Sequence, residues 1–328
     1  MSKAGWQWLI RGSAVAIVLG AVALGIWVVD RPASESDPVT GPWDRLDGRS
    51  WLLPDLDGAR LVMPDRPHAR QEVDAHLEGE VRLTRTRSYT LSTNSWRLRG
   101  PPLSEKTGKR IAVLGDSVAM GHGVDDDQAW PSLLEGELRK DGHQVQVLNA
   151  GCPATGLDTM EIWCRNVGTQ LDLDLLVWAR RGMDSGTGIY RQHLRACEDA
   201  LGVPVVAVLH PTSGFDLRAL RQVDREAADL ERVLAPTPVL DLNPAFRAAA
   251  KGGYTLSLQG QTVTVYSPSG QVVTTGEASA DRLPTAVYAL FEEDPSVREA
   301  LFFDGAHPDV EGNALYAREV AAFLSPRL

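Results

Sequence analysis

A glycine, an aspartate and a serine stand in a row at 115–117, where the apolar run Ile111-Ala112-Val113-Leu114-Gly115 ends. A serine hydroxyl is a weak nucleophile until a base within hydrogen-bond reach takes its proton. A base of the right kind lies near the other end of the chain, in Asp304-Gly305-Ala306-His307-Pro308. An aspartate three residues before a histidine can orient the ring and stabilise the imidazolium, leaving the other nitrogen to accept a serine proton. The chemistry this supports is acyl transfer through Ser117, with His307 as base and Asp304 behind it. Each piece alone is ordinary. A serine after a strand also caps a helix, and Asp-x-x-His also occurs in solvated loops, so placement decides the matter.

The elements that must do the placing alternate. Apolar runs at 111–115, 145–149, 175–179, 205–209 and 238–242 are short, continuous and bounded by turn residues. That is the signature of parallel strands buried on both faces. Helical periods lie between them: Leu133, Leu134 and Leu138, then Leu220, Val223, Ala227, Leu230 and Leu234. A last helix is expected over 309–324, with Tyr316, Val320, Phe323 and Leu324 on one face. The alternation predicts a three-layer, doubly wound (flavodoxin-like) α/β domain with a five-stranded parallel sheet, spanning 109–328. Ligands of such sheets sit at the carboxyl ends of the strands. Ser117 follows the first strand and His307 precedes the last helix, so the fold can bring both to that edge. Residues 253–276 interrupt the pattern with period-two alternation and are expected as a β-meander insertion.

The rest of the chain is read from composition. Its 328 residues carry 33 basic and 43 acidic side chains, a net charge of −10. No basic stripe for nucleic acid is visible, and the basic charge is almost wholly arginine, 28 Arg against 5 Lys. The mean hydropathy of −0.17 conceals an uncharged run of eighteen residues, 12–29. At 1.5 Å rise per residue a helix of that length covers roughly 27 Å, close to the hydrocarbon thickness of a bilayer. Trp6, Trp8 and Trp27 lie near its ends, where indole rings favour the interface. A single N-terminal transmembrane helix within 1–30 is expected, since Asp30-Arg31-Pro32-Ala33-Ser34 offers no good A-x-A cleavage site. Lys3 and Arg11 before the run place the N-terminus in the cytoplasm and the remainder outside it. Residues 31–44 are rich in Pro, Ser and Asp and read as a linker, and 45–108 as a β-rich lead-in with a strand within 80–92.

With these blocks in view, the chain from about 85 to 324 resembles the SGNH/GDSL hydrolase family. GDSVAMGHGV (115–124) resembles its nucleophile block, VLNAGCPATG (147–156) its second block, and DGAHPDVEGNALYA (304–317) its final one. TNSWRLRGPP (93–102) resembles the lead-in of bacterial, envelope-associated members. The resemblance implies a triad of Ser117, His307 and Asp304, and an oxyanion hole using the N–H groups of Ser117 and Gly151. One block departs: Met183 stands where the family carries an oxyanion-donating Asn, and a thioether donates no hydrogen bond. Arg180 or Arg181 is a candidate replacement.

Other residues receive plainer readings. His122 is read as a loop histidine beside the site, and His210, ending the fourth strand, as a possible substrate contact. Asp125, Asp126 and Asp127 read as a solvated turn rather than a metal site. Cys152, Cys164 and Cys197 allow one disulfide and one thiol over, in a pairing left open. No cofactor or metal is expected. The function these features point to is a membrane-anchored serine esterase acting outside the cytoplasm on acyl esters, in particular O-acetyl groups of an envelope glycan. An O-acyltransferase with the same triad, or a non-catalytic glycan-binding protein on a degenerate fold, are the alternatives.

Overall fold

The computed structural model describes residues 27–28, 59–64, 86–153, 155–180, 187–213, 228–250, 253–278, 284, 286–287, 290, 300–303 and 306–328. Its centre is a five-stranded parallel sheet built from β4 (Lys109–Gly115), β5 (Val145–Gly151), β6 (Leu175–Arg180), β7 (Val205–Leu209) and β8 (Val239–Asp241). The strand order is β5-β4-β6-β7-β8, the order expected for a flavodoxin-like sheet. β4 is second in that order, hydrogen-bonded to β5 on one side and to β6 on the other.

Successive side chains of a strand point to opposite faces. Here both faces are covered, which is why the strands read as unbroken apolar runs. Leu114, Leu176, Trp178 and Ala207 pack with Met160 and Trp163 of α3 (Leu157–Asn166) and Leu194 of α4 (Thr187–Leu201). Ile111, Val113, Val177 and Val208 face the other way, onto Trp130 and Leu134 of α2 (Trp130–Lys140) and Tyr316 and Val320 of α6 (Val310–Leu324). Three tryptophans, Trp130, Trp163 and Trp178, are fully buried. α5 (Asn243–Ala249) adds Phe246 to the second face. Residues 228–234 are helical; 214–227, where the rest of that helical period falls, lie outside the described residues.

The lead-in and the insertion are β-structure, as their alternation implies. β1 (Trp27–Val28), β2 (Ala59–Pro64) and β3 (Thr86–Leu91) form an antiparallel sheet. β9 (Thr255–Gln259), β10 (Thr262–Tyr266) and β11 (Val272–Glu277) form the meander, around a small core of Leu256, Val263 and Val265. The expected membrane helix over 12–29 falls outside the described residues except for its end. There Trp27 and Val28 are strand rather than helix, paired with Val62 and Leu61. No helix among the described residues is long and apolar enough to cross a membrane.

α3 and α4 are joined covalently. Cys164 and Cys197 form a disulfide across 5.3 Å between Cα atoms. This settles the pairing left open by the sequence, and Cys152 is the buried cysteine outside it.

Candidate active site

Ser117 opens α1 (Ser117–Met120), a single helical turn at the carboxyl end of β4. The turn is tight because the chain leaves a buried interior strand beside its neighbours. A Cβ on Gly115 would collide with the carbonyl oxygen of Ala179. Asp116 caps the turn, its Oδ1 accepting from Val118 N–H at 2.9 Å. The N–H of Ser117 has no acceptor among the described residues, as expected for the first position of a helix.

The base arrives from the opposite end of the sequence. His307 Nε2 lies 2.8 Å from Ser117 Oγ. Its loop is shaped by main-chain bonds: Phe303 N–H donates to His307 O at 3.1 Å, and Asp309 N–H to Leu301 O at 2.8 Å. The ring of Phe303 stacks on His307 with centroids 5.9 Å apart, and that of His122 sits 4.7 Å away on a tilt. Ser117 and His307 are therefore brought together as the spacing implied. Asp304 and Met183 lie outside the described residues, as does Arg181.

Beneath the serine runs a buried polar chain. Asp116 Oδ1 meets His210 Nε2 at 3.1 Å, and His210 Nδ1 meets Tyr316 Oη at 2.8 Å. A carboxylate only accepts, so Nε2 donates. Burial alone would raise the Asp116 carboxyl. The hydrogen bond from His210, the Arg180 charge and the Val118 N–H outweigh it and hold the group well below the usual carboxylate range. Burial pushes the Tyr316 phenol well up, so it keeps its proton and donates to His210 Nδ1. His210 was a candidate substrate contact; at 2 % exposure and with both nitrogens engaged, it is a support of the nucleophile turn. Tyr316 stacks on Trp130, centroids 4.1 Å apart, and Trp130 Nε1–H returns to Val118 O at 3.0 Å.

A second support comes from the lead-in, and composition did not reveal it. Arg99 is buried. Its Nε–H donates to Asp126 at 2.8 Å, Nη1 to the carbonyls of Met120 and Gly121 at 3.1 and 2.7 Å, and Nη2 to those of Thr90 and Val124 at 3.1 and 2.6 Å. The guanidinium thus closes the loop that follows Ser117. Two residues of the acidic run are correspondingly engaged with the fold, while Asp127 is exposed. Asp125 accepts from Thr90 N–H and Oγ1–H at 2.7 and 2.9 Å, and Asp126 from Ser92 N–H at 2.8 Å. These carboxylates tie β3 to the nucleophile loop. His122 is held in the same region by Tyr89 Oη, 2.7 Å from its Nδ1. The one hint of Arg99 available beforehand was the family resemblance of the 93–102 block.

Gly151 is tied to its neighbour in β5. Its N–H donates to Asn149 Oδ1 at 3.1 Å, and Asn149 Nδ2–H in turn donates to Met120 O at 3.0 Å. Its need for glycine is steric, because a Cβ there would strike the backbone nitrogen of Met120. In this arrangement the N–H is engaged by the Asn149 side chain. Arg180, at the end of β6, donates through Nη1 to Thr155 O in the loop after β5.

No protein-family model matches the sequence, and no curated protein matches it. Solved structures do. A lipase/acylhydrolase from Enterococcus faecalis is 18 % identical, with 67 % of this chain and 97 % of that chain covered at a TM-score of 0.43. A catalytic mutant of an acetylxylan esterase from Geobacillus stearothermophilus is 13 % identical, covering 68 % and 95 % at 0.42. A two-domain esterase active on acetylated mannans is 14 % identical, covering 66 % and 49 % at 0.42. These neighbours are esterases and acylhydrolases, the class that the three sequence blocks resemble. At such distances the chemistry of this chain has to be read from its own site.

Proposed function

We propose that this protein is a serine ester hydrolase. The observation that carries the reading is the 2.8 Å approach of His307 Nε2 to Ser117 Oγ at the carboxyl edge of a doubly wound sheet. An acceptor nitrogen at that distance can take the hydroxyl proton as Oγ attacks. The carbonyl electron pair moves to oxygen, giving a tetrahedral oxyanion beside the unpartnered Ser117 N–H. When the C=O re-forms, the alcohol leaves with the proton from His307 and the acyl group stays on Ser117. Water then attacks the acyl-serine, gives its proton to His307 and releases the acid, and Ser117 recovers its proton. His307 must begin with its proton on Nδ1. Asp304, three residues before it in the loop, is the carboxylate proposed to hold that proton.

The proposed substrates are acyl esters, with O-acetyl groups on an envelope glycan as the class. The family resemblance supports that choice, together with the uncharged 12–29 run, proposed to anchor the protein to the cell membrane with its catalytic domain outside. A disulfide between two buried cysteines also favours an oxidising, extracytoplasmic compartment. The test uses the full chain with a short-chain aryl ester and a fluorophosphonate probe. Wild type should turn over the ester and be labelled. Ser117→Ala should abolish labelling, and His307→Ala should lower kcat by at least about 10⁴-fold. Equal labelling of wild type and Ser117→Ala would remove the nucleophile assignment.

A further inference from the structure

The oxyanion formed at Ser117 needs donors fixed in advance, and one main-chain N–H is a thin provision. Among the described residues, Gly151 N–H is spent on Asn149. The remaining candidate is a side chain. Gly115 lies opposite Ala179 in the register of β4 and β6, so Arg180 flanks Asp116, the residue before the nucleophile. The main chain of Arg180 is held there by His210 N–H, which donates to its carbonyl at 3.2 Å. Its side chain runs to Thr155 O, in the loop after β5. Since β4 separates β5 from β6, the guanidinium crosses the carboxyl end of the strand that carries Ser117.

The two flanks of Ser117 are therefore chemically unlike. His307 is delivered by the loop before α6, which packs on the face of Ile111, Val113 and Val177. Arg180 follows the alternation of Leu176 and Trp178 and leaves β6 on the opposite face, towards the start of α3. A carbonyl attacked by Ser117 has its leaving oxygen near the base and its carbonyl oxygen turned away from it. That second direction is the Arg180 side. A guanidinium has five N–H groups. One goes to Thr155 O, and no other has a hydrogen-bond acceptor among the described residues. The side chain is half-buried, so its charge is neither lost to bulk water nor sealed away.

We propose that Arg180 is a catalytic residue that donates a guanidinium N–H to the oxyanion formed when Ser117 attacks an ester. The proposal rests on the esterase reading. Arg180 keeps its proton throughout: the hydrogen bond strengthens as the carbonyl electron pair moves to oxygen and weakens when the C=O re-forms. Its reach to Asp116 has a separate expression, since it is one of the groups that, against burial, keep that carboxyl ionised. A purely bracing role for Arg180, holding Thr155, makes different demands and can be told apart.

The experiment measures kcat and KM for a short-chain aryl ester, the inhibition constant of an aryl boronic acid, and thermal stability, in wild type, Arg180→Lys and Arg180→Met. The boronate forms a tetrahedral anion on the serine and so samples the oxyanion site without turnover. The expected result for Arg180→Met is a fall in kcat of about 10²–10³-fold, with KM changed by less than about threefold. Boronate affinity should weaken in parallel, and Arg180→Lys should recover part of both. An Arg180→Met variant that binds the boronate as tightly as wild type, whatever its stability, overturns the proposal alone. A wild type that neither turns over the ester nor takes up the boronate removes the esterase reading, and this assignment with it.

Discussion

The two loops that meet at the site are held in contrasting ways. The loop after Ser117 is clamped by side chains, many of them charged: Arg99 on four carbonyls and Asp126, and Asp116 on His210. The loop of His307 is shaped mainly by main-chain bonds, through Phe303, Asp309 and the bridge between Phe302 and Pro308. Its chief side-chain brace is neutral. Asn313 Nδ2–H donates to Pro308 O at 2.8 Å, while its Oδ1 accepts from Trp130 N–H at 3.0 Å. The difference follows from where each loop starts. The nucleophile turn leaves an interior strand and must stop at once, with carbonyls left facing inward. The described residues of the His307 loop fold back on one another through main-chain bonds. Removing Arg99 from the first loop should therefore cost more than removing Asn313 from the second.

The harshest way to break the contrast is Arg99→Met. It removes five donor contacts and leaves Asp126, whose partner was 1 % exposed, without its counter-charge. Deleting one member of a buried pair typically costs about 3–5 kcal/mol. Urea unfolding should register a loss of that size, and ester turnover should fall with it, because the loop behind Ser117 loses its closure. A loss below about 1 kcal/mol would mean that the carbonyls find water instead, and the clamp would not be what holds the turn.

A second break uses pH. The folded pKa of Asp116 lies well below its unfolded value near 3.9. Its contribution to stability is therefore fully present above the unfolded pKa and is lost as pH falls through the folded one. Wild type should lose stability progressively below about pH 4. Asp116→Asn, which cannot ionise, should be less stable at neutral pH and show a flatter acid limb. Unfolding free energies between pH 6 and pH 2 check this; parallel curves for the two proteins would show that Asp116 is not linked to folding. Replacing Asn313 with Ala should leave the acid limb of the other loop unchanged and cost about 1–3 kcal/mol at every pH, since no charge is involved.

These supports mark the limit of what the sequence made legible. The five strands, the meander and the last helix were readable because burial on two faces, or alternation on one, writes itself into hydrophobic periodicity. Ser117 and His307 were readable because each stands at a boundary between such elements. Arg99, Asp125 and Asp126 carry no periodic mark. A buried arginine is indistinguishable in sequence from an exposed one, and adjacent aspartates most often mean solvent. His210 was placed at the right edge but given the wrong neighbour, since Tyr316, its partner, is 106 residues away. Gly151 was singled out for its N–H, and its need to be glycine was not legible. The reason is the backbone of Met120 pressing on it, a contact between β5 and α1 that no local pattern encodes.

The mildest and most discriminating break is Tyr316→Phe. The ring is fully buried and stacks on Trp130, and the substitution keeps that packing while deleting one hydroxyl. His210 Nδ1 then loses its donor in a site closed to water, which costs about 1 kcal/mol. If the chain from Tyr316 through His210 to Asp116 fixes the nucleophile turn, the loss should appear beyond stability. His210 would be free to exchange its tautomer and release Asp116, and phosphonylation of Ser117 by a fluorophosphonate should slow several-fold at unchanged KM for the aryl ester. Should labelling proceed at the wild-type rate while stability drops by the same 1 kcal/mol, the chain is packing alone. Orientation of the serine would then belong to Arg99.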